Sequence, residues 1–299
     1  MRIVIVQERG RHAANREFRE ACCLQRALDR LGVETTVWGL GYEAFARPFE
    51  DVAAGADVVL LLENWDDTGW VPDVSRAKAL RVFWSIDSHY GRHTLRAHVA
   101  TCRRQRVHLV LNATERYLAH FRAWGRRRLW FPNAYPADLV RPLPEVAKTH
   151  DLGFCGNVLN RGPWIDALVR EFGMHVVSFE TPAGLNHEAI GPGMVRAVNS
   201  FRMHWNRNLA DDINFRTFET LGCGTLLLTN HTPGLERLFD LERHLVVYGG
   251  LDDLRATLRA LLAAPARVDA VAAAGHAHAR AHHTYDARAR QLVEVLNAL

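Results

Sequence analysis

Asp151-Leu-Gly-Phe-Cys-Gly-Asn-Val-Leu-Asn-Arg161 runs directly into Gly162-Pro-Trp-Ile-Asp-Ala-Leu-Val-Arg-Glu-Phe172. Residues 151–155 read as a strand buried in a sheet, and Gly156-Asn157 breaks it. Pro163 suits the first turn of a helix spanning residues 163–172. Backbone N–H groups at such a turn, with a helix dipole behind them, suit a phosphate. Arg161 is placed to add a bidentate contact. The same residues also fit an ordinary tight strand-to-helix turn.

The strand-then-helix pattern repeats on both sides. Upstream, residues 3–6, 33–38, 58–62, 80–85 and 107–111 are apolar runs of strand length. Residues 15–31 form an amphipathic helix closed by Gly32, and residues 92–103 and 114–124 read as further helices. Downstream, strands are expected at 174–179, 195–199, 225–229 and 244–247, with helices at 213–221, 251–262 and 284–299. Between the two series, Pro132, Pro136, Pro142 and Pro144 mark a rigid crossover. Alternating strands and helices imply parallel sheets. The expected fold class is therefore α/β, with two Rossmann-like domains, residues 1–145 and 146–299, facing across a cleft. The last helix is expected at the domain junction. Ligands in such sheets bind beyond the carboxyl ends of strands, which points to residues 7–14, 63–69, 86–93, 156–162 and 230–234.

Composition bounds the function. The chain has 299 residues, 48% hydrophobic and 23% charged, which fits a globular protein and excludes disorder and collagen. A net charge of +4 over 299 residues is weak for a nucleic-acid binder, and the skew to arginine (35 of 37 basic residues), spread along the whole chain, reads as compositional bias. The basic runs at 103–106 and 126–128 read as solvated faces, with an acidic acceptor or a membrane surface as the other reading. No stretch is long and apolar enough to span a membrane, and the start lacks a signal-peptide core. Five cysteines with no Cys-x-x-Cys pair read as free thiols. A cytoplasmic location is the expectation.

Several motifs are absent or weak. No phosphate loop of the Gly-Lys type and no Gly-x-Ser-x-Gly elbow occurs. Gly39-Leu-Gly-Tyr-Glu-Ala44 matches a dinucleotide fingerprint formally but follows the second strand, so it reads as a loop. His276, His278, His282 and His283 lack nearby cysteine partners and read as a solvated helix rather than a zinc site.

A second segment, Asp211-Asp-Ile-Asn-Phe-Arg-Thr-Phe-Glu-Thr-Leu-Gly-Cys-Gly-Thr-Leu-Leu-Leu-Thr229, carries a polar loop, a short helix and a strand. Glu219 near the helix start can take two vicinal ribose hydroxyls. Arg216, one turn earlier, can steady it or reach a phosphate. Together with Phe154-x-Gly-Asn157, Tyr248-Gly-Gly-Leu-Asp-Asp-Leu254 and His283-Thr-Tyr-Asp-Ala-Arg288, these motifs resemble the C-terminal domain of the CgeB-like (spore maturation protein-like) glycosyltransferases, relatives of the family 1/family 4 group with the GT-B fold. The likeness covers residues 150–295, with weaker echoes at 83–90 and 111–115.

The resemblance implies a glycosyltransferase that takes a nucleoside-diphosphate-sugar such as a UDP-sugar as donor, an unknown acceptor hydroxyl and no required metal or cofactor. It implies that Glu219 fills the second position of a Glu-x7-Glu motif, with Asp211 in place of the first Glu. Gly156, Asn157, Arg161 and Arg216 are expected to face the diphosphate, whose departing charge needs stabilising. A base for the acceptor is expected from the first half. Asp87 and His89, just past the fourth strand, are the first candidates, and Glu8 and Glu63 follow the first and third strands. Tyr90 offers a flat face to a sugar. Nucleotide-sugar binding without turnover, a UDP-sugar epimerase, and a two-domain ligand-binding protein are the competing functions.

Overall fold

The computed structural model describes residues 1–63, 69–87, 89–90, 93–182 and 184–299, apart from the side chains of His89, Tyr90 and His93. The chain divides into two compact units. The first holds Met1–Asn133, Ala210–Asp212 and Tyr285–Leu299; the second holds Ala134–Leu209 and Ile213–Thr284.

The first unit contains β1 (Arg2–Val6), α1 (Glu20–Arg30), β2 (Glu34–Trp38), α2 (Phe49–Ala53), β3 (Val58–Leu62), β4 (Leu80–Ser85), a hairpin of β5 (His89–Tyr90) and β6 (His93–Thr94), α3 (Leu95–Arg104), β7 (Leu109–Asn112) and β8 (Arg128–Trp130). Its sheet is parallel throughout, in the order β2-β1-β3-β4-β7-β8. β3 reads Val-Val-Leu-Leu-Leu and is buried along its whole length, as a central parallel strand covered on both faces must be. Residues 15–31, read as one helix, split instead into a 3-10 turn (Ala13–Phe18) and α1. The segment read as a helix at 114–124 is a kinked 3-10 stretch, Glu115–Trp124.

The second unit contains β9 (His150–Gly156), α4 (Gly162–Phe172), β10 (His175–Ser178), a hairpin of β11 (Glu180–Thr181) and β12 (Gly184–Leu185), α5 (Gly191–Asn199), β13 (Phe201–Trp205), α6 (Phe215–Gly222), β14 (Leu226–Asn230), α7 (Leu235–Leu238), β15 (Val246–Tyr248), α8 (Leu251–Leu262) and α9 (Pro265–His282). Its sheet is also parallel, in the order β10-β9-β13-β14-β15. One expectation fails here. Residues 195–199, read as a strand, are the end of α5, and the strand is β13 immediately after it. α5 buries Val195, Val198 and Asn199 at helical spacing, which outweighs its Gly-Pro-Gly start. α10 (Tyr285–Asn297) returns to the first unit, where Arg30 on α1 binds Asp286.

Both sheets have the same winding. The chain lays its second strand on one side of the first and its third on the other, so the strand order reverses between β1 and β3 and again between β9 and β13. Ligand crevices open at such switch points, beyond the carboxyl ends of the strands. The residues that sit there are Gln7, Glu8 and Glu63 in the first unit, and Gly156, Asn157, Asn206 and Arg207 in the second. Among the described residues no helix is long and apolar enough to cross a membrane. None of the five cysteines is in a disulfide, and all five are buried.

Candidate functional site: two carboxyl edges

In the second unit, β9 ends at Gly156 with φ +137°, a left-handed backbone that side chains rarely adopt. A Cβ there would lie 2.1 Å from Nη2 of Arg216, so the arginine packs into the space that glycine leaves. Arg216 is presented by α6, whose N-cap Asn214 accepts from the Thr217 amide. Its Nε donates to the Cys155 carbonyl (2.9 Å) and its Nη1 to Asn206 Oδ1 (3.0 Å). Its guanidinium lies 5.1 Å over the Phe154 ring. Asn206 follows β13 and anchors a buried amide network. Its Nδ2 donates to Asn208, Asn214 and Thr229, and its carbonyl accepts from the Tyr248 hydroxyl at 2.6 Å.

Arg161 behaves differently from the sequence expectation of a phosphate ligand. It is 5% exposed, and its guanidinium donates to the carbonyls of Asn157, Leu159 and Arg207, so it shapes the loop from within. Asn157 is exposed, and its side chain accepts from the Leu159 amide. The structure adds a cation that the sequence does not single out. Arg207 stacks 4.7 Å over the Trp164 ring on α4. Its signal is hidden because the sequence pattern puts the strand that positions it, β13, one element too early.

Arg161, Arg207 and Arg216 form no ion pair among the described residues. Burial, followed by repulsion from Arg216 and Arg207, pushes Arg161 down to about 10. Burial also lowers Arg216, opposed by nearby Cys155 and Glu219. His204, fully buried, is held neutral by burial and by Arg216. Its Nε2 accepts from the Cys155 amide at 3.0 Å. Three guanidinium groups beside the carboxyl ends of β9 and β13 therefore make an electropositive edge that an anion would relieve. Glu219, half-buried on α6, lies within electrostatic reach of Arg216. Asp211, at the position before the seven-residue spacer, pairs with Arg116 in the first unit at 2.7 Å.

In the first unit, the carboxyl edge is acidic. Asp87 follows β4 and is exposed. Glu63 follows β3, and its Oε2 accepts from the amides of Ile86 (3.0 Å) and Asp87 (2.6 Å). Burial, then the Asp87 charge, pushes Glu63 up to about 8. Asp212 accepts from the Thr114 hydroxyl at 3.2 Å, and burial with the Asp87 charge pushes it up to about 7. Asn112 at the end of β7 donates to Ser85 Oγ (2.9 Å), which contacts His98 Nδ1 (2.8 Å). Glu8 is committed to Arg19 at 2.5 Å, which removes it from the candidates for a free base. The backbone of His89 lies in β5, but its side chain and that of Tyr90 are outside the described residues. Trp84 is fully buried, edge-on to Phe131.

Of the late histidines, His276 and His278 are half-buried and His283 is buried, as structural groups and not a solvated face, while His282 is exposed. His278 and His283 contact the Leu238 carbonyl, and His276 the Leu221 carbonyl. Among the described residues no group of three or more His, Cys, Asp or Glu side chains is arranged to hold a metal ion.

Comparison with known proteins places this geometry. The family model described as glycosyl transferase-like matches residues 103–294, more than half of the chain. The chain belongs to the glycosyl transferase-like family. Its fold class is GT-B, with structural likeness over the full chain. Sucrose-phosphate synthase from Thermosynechococcus elongatus superposes with a TM-score of 0.68 at 12% identity, covering 99% of this chain and 98% of that one. HepE from Anabaena, solved with UDP-glucose, gives 0.67 at 13% identity, covering 100% of both chains. AviGT4, a glycosyltransferase of avilamycin A biosynthesis, gives 0.63 at 14% identity, covering 100% of this chain and 97% of that one. A search of curated proteins by sequence finds no match.

Proposed function

We propose that this glycosyl transferase-like protein moves a sugar from a nucleoside-diphosphate-sugar to an acceptor hydroxyl, without a divalent metal, and that it falls in the CgeB-like subgroup. The observation that carries the reading is the set of Arg161, Arg207 and Arg216 around the β9–β13 switch point, three cations with no ion-pair partner among the described residues. A departing nucleoside diphosphate carries its new charge on phosphate oxygens, and fixed guanidinium groups can stabilise that charge in place of a metal. Arg216 and Arg207 are the direct contacts. Arg161 shapes the loop and adds its field. The Gly156-Asn157 turn offers backbone N–H groups beside them. Glu219 takes the ribose hydroxyls.

The uridine nucleotides are the first donors to test, since HepE was solved with UDP-glucose and with UDP. On the acceptor side Asp87 is the base, because it is an exposed carboxylate at the carboxyl end of β4. His89 is kept as the group that orients the acceptor. The deciding experiment is titration calorimetry with UDP, uridine and GDP, followed by release of UDP from UDP-glucose in the presence of sugar acceptors. The reading expects a diphosphate to bind at least tenfold tighter than its nucleoside. Equal affinity for UDP and uridine would remove the arginines from the donor site.

A further inference from the structure

The loop that carries Asp87 does not hold itself in place. Both amides that lead into it, those of Ile86 and Asp87, donate to one oxygen of Glu63, Oε2. This crosses from the end of β3 to the end of β4, neighbouring strands in the sheet. A charged acceptor for two amides is a strong clamp, whereas the same carboxyl carrying a proton is a weaker one.

The surroundings of Glu63 make its proton count consequential. Asp87 stands after β4, Glu20 and Arg19 stand at the start of α1, and His98 faces it from α3 with Nε2 3.9 Å from Oε2. Arg19 is already shared between Glu8 (2.5 Å) and Glu20 (3.1 Å), so one cation serves three carboxylates before Asp87 is counted. His98 is oriented by a chain of bonds. Asn112 donates to Ser85 Oγ, which lets the Ser85 hydroxyl donate to His98 Nδ1 and leaves the imidazole proton on Nε2, toward Glu63. Burial opposes a charge on Glu63, and the neighbouring Asp87 opposes it further.

We infer that Glu63 acts through Asp87: it is the positioning residue whose carboxylate fixes the Asp87 backbone, and its proton sets how firmly that backbone is held. This rests on the reading of Asp87 as the acceptor's base. When Glu63 carries a proton, the clamp on Ile86 and Asp87 slackens; when Glu63 ionises, the clamp tightens.

The chain has six isoleucines, Ile3, Ile5, Ile86, Ile165, Ile190 and Ile213, so isoleucine-selective ¹⁵N labelling of the full protein gives six amide signals. Ile86→Val identifies the one that matters. The wild-type Ile86 signal should titrate with a midpoint near about pH 8, the direction set by burial and by Asp87. Glu63→Gln keeps an oxygen for both amides but has no proton to lose, so its Ile86 signal should stay still while the other five remain in place. Asp87→Asn should move the wild-type midpoint down by about one pH unit, because the repelling charge is gone. A simple structural bond would not respond to Asp87→Asn. An Ile86 signal static from about pH 6 to 10, or a midpoint unmoved by Asp87→Asn, overturns the inference. Those two results need no folded Glu63 variant. Turnover of UDP-glucose by Asp87→Asn tests the base separately: its survival removes the base and leaves the clamp, and a static Ile86 removes the clamp and leaves the base.

Discussion

Replacing Gly156 by alanine puts a methyl group where Arg216 now lies. The added Cβ would sit 2.1 Å from Nη2, 3.0 Å from Cζ and 3.3 Å from Nε, so Nη2 must withdraw by more than 1 Å and the rest of the guanidinium must turn with it by a few tenths of an ångström. Withdrawal breaks at least one of its bonds to the Cys155 carbonyl and Asn206 Oδ1, each a charged hydrogen bond worth about 1.5–3 kcal/mol. The φ of +137° adds about 1–3 kcal/mol of strain for a residue with a Cβ. The expected loss is about 2.5–6 kcal/mol, a large share of the ~5–15 kcal/mol that holds a typical domain folded. Urea unfolding measures it. The decisive control is the double variant Gly156→Ala/Arg216→Ala, in which the new methyl meets no guanidinium and only the strain remains. The two substitutions should therefore couple by about 2–3 kcal/mol instead of adding. A loss below ~1 kcal/mol for Gly156→Ala, or simple additivity, would refute the claim that Arg216 is seated by the missing side chain.

Four further outcomes are expected. Glu219→Ala should weaken UDP binding roughly 10–150-fold, the loss of one charged hydrogen bond, and calorimetry with unchanged affinity would remove Glu219 from the ribose. Asp87→Asn should lower kcat by ~10²–10⁴ with UDP affinity nearly intact; near-native turnover would exclude Asp87 as the base. Sugar transfer should persist in excess EDTA, and loss of activity with rescue by Mg²⁺ would overturn the metal-free reading. Glu63 and Asp212 hold their protons to about 8 and about 7, so the unfolded chain releases them first, and stability should fall as pH rises from about 4 to about 8. Each carboxyl loses ~1.4 kcal/mol for every pH unit that separates its folded and unfolded titrations, about 3–5 kcal/mol at the top of that window. Glu63→Gln with Asp212→Asn should flatten a plot of melting temperature against pH.

Where the sequence is legible, one force dominates. β3, β4 and α8 are bounded correctly because a continuous apolar run or a clear 3.6-residue stripe leaves a single reading. β13 is not legible, and its cause is specific. His204 and Arg202 interrupt the apolar pattern of Phe201–Trp205, and nothing in the sequence tells that His204 is satisfied by the Cys155 amide and by Thr220. Propensity is overruled by tertiary hydrogen bonds. That slip hides Asn206 and Arg207, which β13 delivers to the switch point. Gly156, Arg216 and Glu219 are visible as a motif, yet the packing of Arg216 into the glycine's vacancy needs coordinates. Arg161 looks like a ligand because the sequence shows charge and not the three carbonyls that take it. On the other edge, Asp87 and Glu63 are legible as strand-end carboxylates, but not their shared backbone clamp.

The return of α10 to the first unit has a consequence for how the chain is made. α1 packs its buried face, which includes Ala27 and Leu28, near a helix that the ribosome delivers about 250 residues later, with Arg30 reaching Asp286 at 2.8 Å. The first unit begins first and is completed last, while every segment of the second unit has already been synthesised by Thr284. The first unit's six-stranded sheet is complete once Trp130 is made, but α1 waits for α10 until the second unit has been synthesised. A frameshift or proteolytic cut anywhere in the last fifteen residues would strike the oldest part of the molecule, not the newest.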